Sequence, residues 1–179
     1  MRLYFFRHGV AEDVQLDKAD QLRQLTREGI ARTKATARVL LAAGVKPRRL
    51  YSSPLARARQ TADIVAQILD VKVTVRRALA PGFDLDAVSA LTAGLRSTDE
   101  VMFVGHEPDF STVISQIIGG GEIIMKKGGV ARVDIGSATP PHGALVLLLA
   151  TKLIPTDRAC GSLLSALSRR SNALFTPMF

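Results

Sequence analysis

The sequence predicts an α/β fold, a three-layer sandwich with a mostly parallel central sheet and helices on both faces. Three observations carry that reading. Short apolar runs alternate along most of the chain with amphipathic runs of helical period, the pattern from which βα units are built. Several of the apolar runs, such as residues 101–104 and 144–150, are continuous rather than alternating, as strands covered on both faces require. And 179 residues with 47% hydrophobic content suffice for one domain with a real core but would leave two domains thin.

The elements follow in order. Residues 3–6 are apolar and aromatic and read as a strand that ends directly at Arg7-His8-Gly9. A helix is predicted over 26–43, with Thr26 as N-cap, Ile30, Ala31, Ala35, Val39, Leu40 and Leu41 marking its apolar period, and Gly44 as its stop. Residues 49–52 form a short strand. Ser53-Pro54 then opens a second helix as cap and first-turn proline, with Ala58, Ala62, Val65, Ile68 and Leu69 on one face. A strand over 71–75, a helix over 84–95, a strand over 101–104 and a helix over 110–118 follow, the last stopped by the glycines 119–121. Strands over 130–135 and 144–150 close the pattern, and the second, apolar throughout, reads as a central strand covered on both faces. The domain is assigned to residues 1–152, and residues 153–179 form a tail that is either a short helix over 159–169 or partly disordered.

Composition narrows the function classes. The opening apolar run is cut short by Arg7 and His8, too soon for a signal sequence or a membrane span, so a cytoplasmic location is the default expectation. The single cysteine, Cys160, excludes an internal disulfide and a multi-cysteine zinc cluster. A formal net charge of +8 attracts anionic partners. The basic residues nevertheless come as scattered pairs, Arg48-Arg49, Arg76-Arg77, Lys126-Lys127 and Arg169-Arg170, with no interleaved aromatic signature, so nucleic acid is not the expected partner.

In open α/β sheets, ligands bind beyond the carboxyl ends of strands. Two strand ends carry chemistry: Arg7 and His8 follow one, and His106 follows another in Val104-Gly105-His106-Glu107-Pro108. If those strands are neighbours, both histidines enter one crevice. Arg57 sits in the first turn of a helix, whose free N–H groups already favour an anion. Two arginines, two histidines and a helix N-terminus describe a phosphate site. Each residue alone has a plainer reading: His8 as a hydrogen-bonded structural histidine, Arg57 as a solvated helix residue like Arg59 and Arg38, His142 as a turn residue. A zinc site is disfavoured because a metalloprotease pattern starting at His106-Glu107 needs histidine where Phe110 stands. The glycine triplet lacks the lysine and hydroxyl ending of a nucleotide-binding loop.

Arg7-His8-Gly9 after an N-terminal strand, the segment from Ser53-Pro54-Leu55-Ala56-Arg57 to Gln60-Thr61-Ala62, and Gly105-His106, in that order, together resemble the histidine phosphatase superfamily, related to phosphoglycerate mutases. Leu25-Thr26-Arg27-Glu28-Gly29 and Gly105-His106-Glu107-Pro108 look most like its SixA-type phosphohistidine phosphatases, over about residues 1 to 152. The resemblance implies a phosphoglycerate mutase-like fold and no cofactor or metal. It implies that His8 attacks phosphorus and becomes phosphohistidine, and that Arg7, Arg57 and His106 bind the equatorial oxygens. Arg23 falls where the SixA type places a further arginine facing the same pocket. One departure concerns the general acid. Many relatives that act on esters carry a glutamate between the arginine-bearing helix and the second histidine, where this chain offers only Asp84, Asp86, Asp99 and Glu100, none in a matching position. Glu107, directly after the second histidine, is a candidate acid or a cap of the following helix, and Glu12 an outside one.

The function expected is that of a metal-independent phosphatase with a phosphohistidine enzyme intermediate. Its expected partner is a phosphorylated protein carrying a phosphohistidine domain, or else a small phosphate ester, with no nucleic acid and no membrane. The alternatives are a small-molecule phosphomonoesterase of the same superfamily, a phosphomutase, and a non-catalytic phosphoprotein-binding module, to which a nucleophile would be superfluous. Chelators should leave turnover of an aryl phosphate unchanged while vanadate and phosphate inhibit it. Activity lost to a chelator and restored by a metal would revive the zinc reading.

Overall fold

A computed structural model describes residues 1–14, 19–138 and 140–156. Six strands form one sheet: β1 (Arg2–Arg7), β2 (Arg49–Ser52), β3 (Val73–Val75), β4 (Glu100–Gly105), β5 (Val130–Ala138) and β6 (Pro141–Leu149). Four helices connect them: α1 (Arg27–Ala42), α2 (Ala56–Leu69), α3 (Leu85–Thr92) and α4 (Asp109–Ile117). The strand order is β3-β2-β4-β1-β5-β6. The pairs β2–β3, β2–β4 and β1–β4 are parallel, and β5 runs antiparallel to both of its neighbours. The predicted α/β sandwich is therefore the observed one. Among the described residues, no helix is long and apolar enough to cross a membrane.

Successive residues of the central strands point to opposite faces, and both faces are covered. Leu3, Phe5, Val101 and Phe103 pack with Phe83, Val88, Phe110, Val113 and Ile114, the layer of α3 and α4. Tyr4, Phe6, Leu50, Met102 and Val104 pack with Ala37, Leu40, Ala58, Ala62 and Val65, the layer of α1 and α2. The chain leaving β1 thus passes to one face and the chain leaving β4 to the other. Between these adjacent strands the carboxyl ends are left open, which is where a sheet of this kind accepts a ligand.

Four local expectations need correction. In α1 the buried residues include Thr33, Thr36, Ala37 and Leu40, whereas Ile30 and Leu41 are exposed. Small residues let α1 approach α2 closely, and the two threonines satisfy their hydroxyls by donating to carbonyls one turn back, on Gly29 at 2.7 Å and Arg32 at 3.0 Å. A threonine bonded in this way packs like a valine. Secondly, α2 begins at Ala56 with Leu55 as its cap, so Ser53 does not cap it and is free for another partner. Thirdly, β6 is not a central strand but the edge of the sheet, and Val146, Leu147 and Leu148 are 53%, 38% and 45% exposed. An apolar run fixes strand character and not strand order, and the β5–β6 antiparallel pair adds the last strand outside β5. His142 lies within β6 opposite Ser137, not in a turn. The helix expected over 159–169 lies outside the described residues.

The loop carrying His8 is clamped to the start of α1. Thr26 caps α1 by accepting from the Gly29 N–H, and its own N–H donates to the Val10 carbonyl at 2.9 Å. A Cβ on Gly29 would lie 2.0 Å from that carbonyl oxygen, a contact that forces backbone apart. Gly29→Ala should therefore destabilise the protein by about 1–3 kcal/mol, the usual cost of overpacking, although alanine is the better helix former by about 1 kcal/mol. Urea unfolding checks this, and a variant as stable as the parent would show that the loop moves aside freely.

Candidate active site

Three strand ends deliver the site. Arg7 of β1 is opposite Gly105 of β4 and Ser52 of β2 is opposite Val104, so His8, His106 and Ser53 emerge side by side. Two backbone bonds lock this level: the His8 N–H donates to Gly105 O and the Ser53 N–H to Val104 O, both at 3.0 Å. The two imidazole rings lie with centroids 5.2 Å apart, and both side chains are buried.

His8 is oriented by its own loop. Its Nδ1 lies 2.8 Å from the Gly9 carbonyl oxygen, and because a carbonyl only accepts, Nδ1 carries the proton. The lone pair is then on Nε2, which accepts from Arg57 Nε at 3.3 Å. Gly9 is held in turn by its N–H donating to Thr61 Oγ1 at 3.1 Å. Burial, with further push from His106, Arg57 and Arg7, drives the His8 pKa down to about 3. Burial followed by Arg57 drives that of His106 down to about 4. Both rings are thus neutral and His8 presents an unprotonated Nε2 at neutral pH.

His106 lies with Nε2 2.8 Å from Ser53 Oγ, and that hydroxyl also accepts from the Leu55 N–H at 3.3 Å. With Ser53 as the donor to Nε2, the proton lies on Nδ1, a buried atom without a partner among the described residues. Sequence reasoning treated Ser53 as a helix cap. The signal that could have found it is its place one residue past a strand end, beside the strand that carries His106.

Arg57, only 5% exposed, is not a solvated helix residue. Its Nη1 donates to the Asp20 carbonyl at 2.8 Å and its Nη2 pairs with the Asp20 carboxylate at 3.1 Å. Arg59 two residues on is exposed and paired with Asp63 at 2.8 Å. Arg7 donates from Nη1 to Met125 O at 2.6 Å, while its Nε is buried without a partner among the described residues. Arg23 reaches the Asp20 carboxylate and the Glu12 carbonyl, both at 2.6 Å, so it stands one carboxylate away from Arg57 and not against His8. Glu107 has one oxygen accepting from Ser111 Oγ at 2.5 Å and the other buried without a partner among the described residues. Burial raises its pKa, against the opposing pull of Ser111 and Arg7. Asp20, on the 3-10 turn Asp20–Leu22, is the other residue sequence reasoning missed, since a lone acid in a polar stretch carries no pattern.

Comparison with known proteins places the chain in a family. Residues 3–81 match the model of the histidine phosphatase superfamily (branch 1). An uncharacterised protein of a Picosynechococcus strain is 36% identical over 144 residues, covering 77% of this chain and 87% of that one. The chain belongs to the histidine phosphatase superfamily. Its fold matches the structure of the protein histidine phosphatase SixA complexed with tungstate, with a TM-score of 0.76 and 23% identity over 86% of this chain and 99% of that one. A putative SixA of Agrobacterium tumefaciens matches with a TM-score of 0.70 and 23% identity, over 83% and 97% of the two chains. A mycobacterial glucosyl-3-phosphoglycerate phosphatase matches with a TM-score of 0.67 and 17% identity, over 83% and 98%. At these identities the likeness shows the phosphoglycerate mutase-like fold expected from the sequence. Superfamily membership supports phosphatase activity, and the fold neighbours span protein and small-molecule phosphatases.

Two neutral histidines held this way have a measurable signature. Ring-proton NMR should show neither His8 nor His106 protonating between about pH 5 and pH 8, with the His8 proton on Nδ1. Unfolded histidines take up protons near 6.5 while the folded rings wait until about 3 and 4. Between those values the unfolded chain binds more protons, so stability, fully present above about 6.5, falls as the pH drops. Titration of either ring near 6.5, or urea stability that is flat from pH 7 to pH 5, would contradict the buried neutral site.

Proposed function

We propose that this member of the superfamily is a metal-independent phosphatase that acts on phosphohistidine in a protein, through a phosphoenzyme on His8. The observation that carries the reading is the orientation of His8: Nδ1–H anchored on Gly9 O and the Nε2 lone pair under Arg57. In the first step the Nε2 lone pair forms a bond to phosphorus. The bond from phosphorus to the leaving group breaks, its electron pair departing with the leaving group. Gly9 O steadies the positive charge that appears on the imidazole through its bond to Nδ1–H. In the second step water attacks phosphorus, the P–N bond breaks, its electrons return to Nε2, and phosphate carries off the water's second hydrogen after one proton is lost to solvent. Arg57, Arg7 and His106 act on the equatorial oxygens, where fixed guanidinium and N–H donors lower the barrier most. The unpartnered Arg7 Nε and His106 Nδ1 support those two roles, since buried donors are rarely left without a partner.

The leaving group decides the substrate class. An alkoxide needs a proton as the P–O bond breaks, whereas the imidazole of phosphohistidine leaves readily once protonated, and solvent or a weak acid serves. No carboxylic acid of this chain stands at the family's common acid position, which favours phosphohistidine. A second reading rests on Glu107: its raised pKa and unpartnered oxygen suit a proton donor, and with that donor the chain would act on small phosphate esters.

Two variants separate these readings. His8→Ala should abolish phosphate release from every donor while the fold survives, and brief exposure of the parent protein to substrate should label His8 with an acid-labile phosphoryl group. Glu107→Gln should change turnover of a phosphohistidine protein and of an aryl phosphate by less than about threefold, while any alkyl phosphatase activity falls on the order of a hundredfold. Efficient alkyl phosphate hydrolysis that collapses in Glu107→Gln would make this a small-molecule phosphatase. Near-normal turnover by His8→Ala would end both readings.

A further inference from the structure

Each nitrogen of the Arg57 guanidinium already has a partner, which takes up three of its five N–H groups. Its Nε is directed at His8 Nε2, its Nη1 at the Asp20 carbonyl and its Nη2 at the Asp20 carboxylate. The other Asp20 oxygen holds Arg23 through both Nε at 2.7 Å and Nη2 at 2.6 Å. One carboxylate therefore bridges the two guanidiniums closest to this end of the site. A phosphoryl group gripped by the Arg57 fork beside His8 competes with Asp20 for the same guanidinium.

We propose that Asp20 is an internal competitor of the phosphoryl group: its carboxylate fills the arginine pair while the site is empty and is displaced when the substrate's anion arrives. The inference rests on the reading of Arg57 as a phosphate ligand and adds a residue that sets the affinity of that site. Three features favour displacement over a permanent brace. The Asp20 side chain is 51% exposed while those of Arg57 and Arg23 are 7% and 15% exposed, so the carboxylate sits on the solvent side of the arginines and has water to move into. It is carried by a three-residue 3-10 turn with no side-chain cap and no buried residue, which has little packing to lose. And a carboxylate is a single charge offering two oxygens, whereas a phosphoryl dianion brings two charges and three oxygens to the same forks.

Competition has a thermodynamic consequence with a definite sign. Whatever free energy is spent in detaching Asp20 from the arginines is subtracted from anion binding, equally for every anion that needs those donors. For an enzyme that must release phosphate after each cycle, this weakens the grip on product, because the carboxylate returns as phosphate leaves. A brace has the opposite sign: removing it would let Arg57 and Arg23 drift and repel each other, and anions would bind less well.

The test uses two tetrahedral oxyanions of similar size and different charge, molybdate and perrhenate, titrated calorimetrically at about pH 8 into the full chain and into Asp20→Asn, which keeps the shape and removes the charge. Both anions should bind Asp20→Asn more tightly, by roughly tenfold, within the range usual for coupling between two ligands of one protein. Phosphate should become a correspondingly stronger inhibitor of aryl phosphate turnover. Asp20→Ala, which also removes the side-chain hydrogen bonds, should shift both affinities in the same direction. Binding that is unchanged or weaker in both variants while the parent protein binds molybdate overturns the competition and leaves the phosphate site standing. If neither the parent protein nor the variants bind molybdate, the phosphate-site reading falls and this inference with it.

Discussion

The parallel pairing of β1 with β4, in the register that sets Arg7 opposite Gly105, is the constraint on which the rest of the site depends. It brings two histidines separated by 98 positions to the same level, with rings 5.2 Å apart. Neither ring could be placed so by its own segment. The insertion of β4 between β1 and β2 also delivers Ser53 to His106, because Ser52 pairs opposite Val104. The helices follow from the same arrangement: α1 leaves β1 toward one face and α4 leaves β4 toward the other, so neither covers the crevice. What fixes the pairing is the apolar content of these strands, whose side chains are buried on both faces and would lose that cover on any slip of register.

Around this frame the chain gathers positive charge and then keeps the histidines from adding to it. Arg7 and Arg57 are buried enough that desolvation lowers their pKa, yet an arginine stays charged under any ordinary condition. The imidazoles yield instead, and both are pushed far below 6.5. The proposed nucleophile, His8, is thereby kept unprotonated next to permanent cations, an arrangement that costs acid stability and provides a lone pair in a field that attracts anions. Asp20 and Glu107 temper that field from two sides. Asp20 remains ionised because Arg23 and Arg57 hold it, while burial favours the protonated form of Glu107. Two carboxyl groups in one site thus have environments that push their pKa values apart, the condition under which carboxyl groups take different tasks.

Much of the fold was legible in the sequence because hydrophobic periodicity reports secondary structure directly. Alternating strands and helices appear where the pattern puts them, and Thr26 caps α1 as its position suggests. The failures have specific causes. The apolar run of β6 marked a strand but was silent on its neighbours, so an edge strand read as a central one. In α1 the threonines, which return their hydroxyls to the helix backbone, packed where Ile30 and Leu41 were expected. Ser53 looked like a helix cap because serine before proline usually is one, and only the neighbouring strand supplies the histidine that claims its hydroxyl.

The sequence by itself determined the kind of protein this is: an α/β domain with Arg7, His8, Arg57 and His106 at positions where strands end and a helix begins, in the order its superfamily uses. Those are properties of segments, set by local pattern and by chemistry that needs particular side chains. The tertiary structure alone decided how the segments meet. It fixed which nitrogen of His8 is free, since that depends on the Gly9 carbonyl and on Arg57 reaching over from α2. It also decided that Arg23 meets Asp20 before it meets the pocket, and that Glu107 keeps one oxygen unpartnered. Hydrogen-bond partners, burial and charge proximity arise between residues far apart in the chain, and such relations leave no trace in the local pattern from which a single sequence is read.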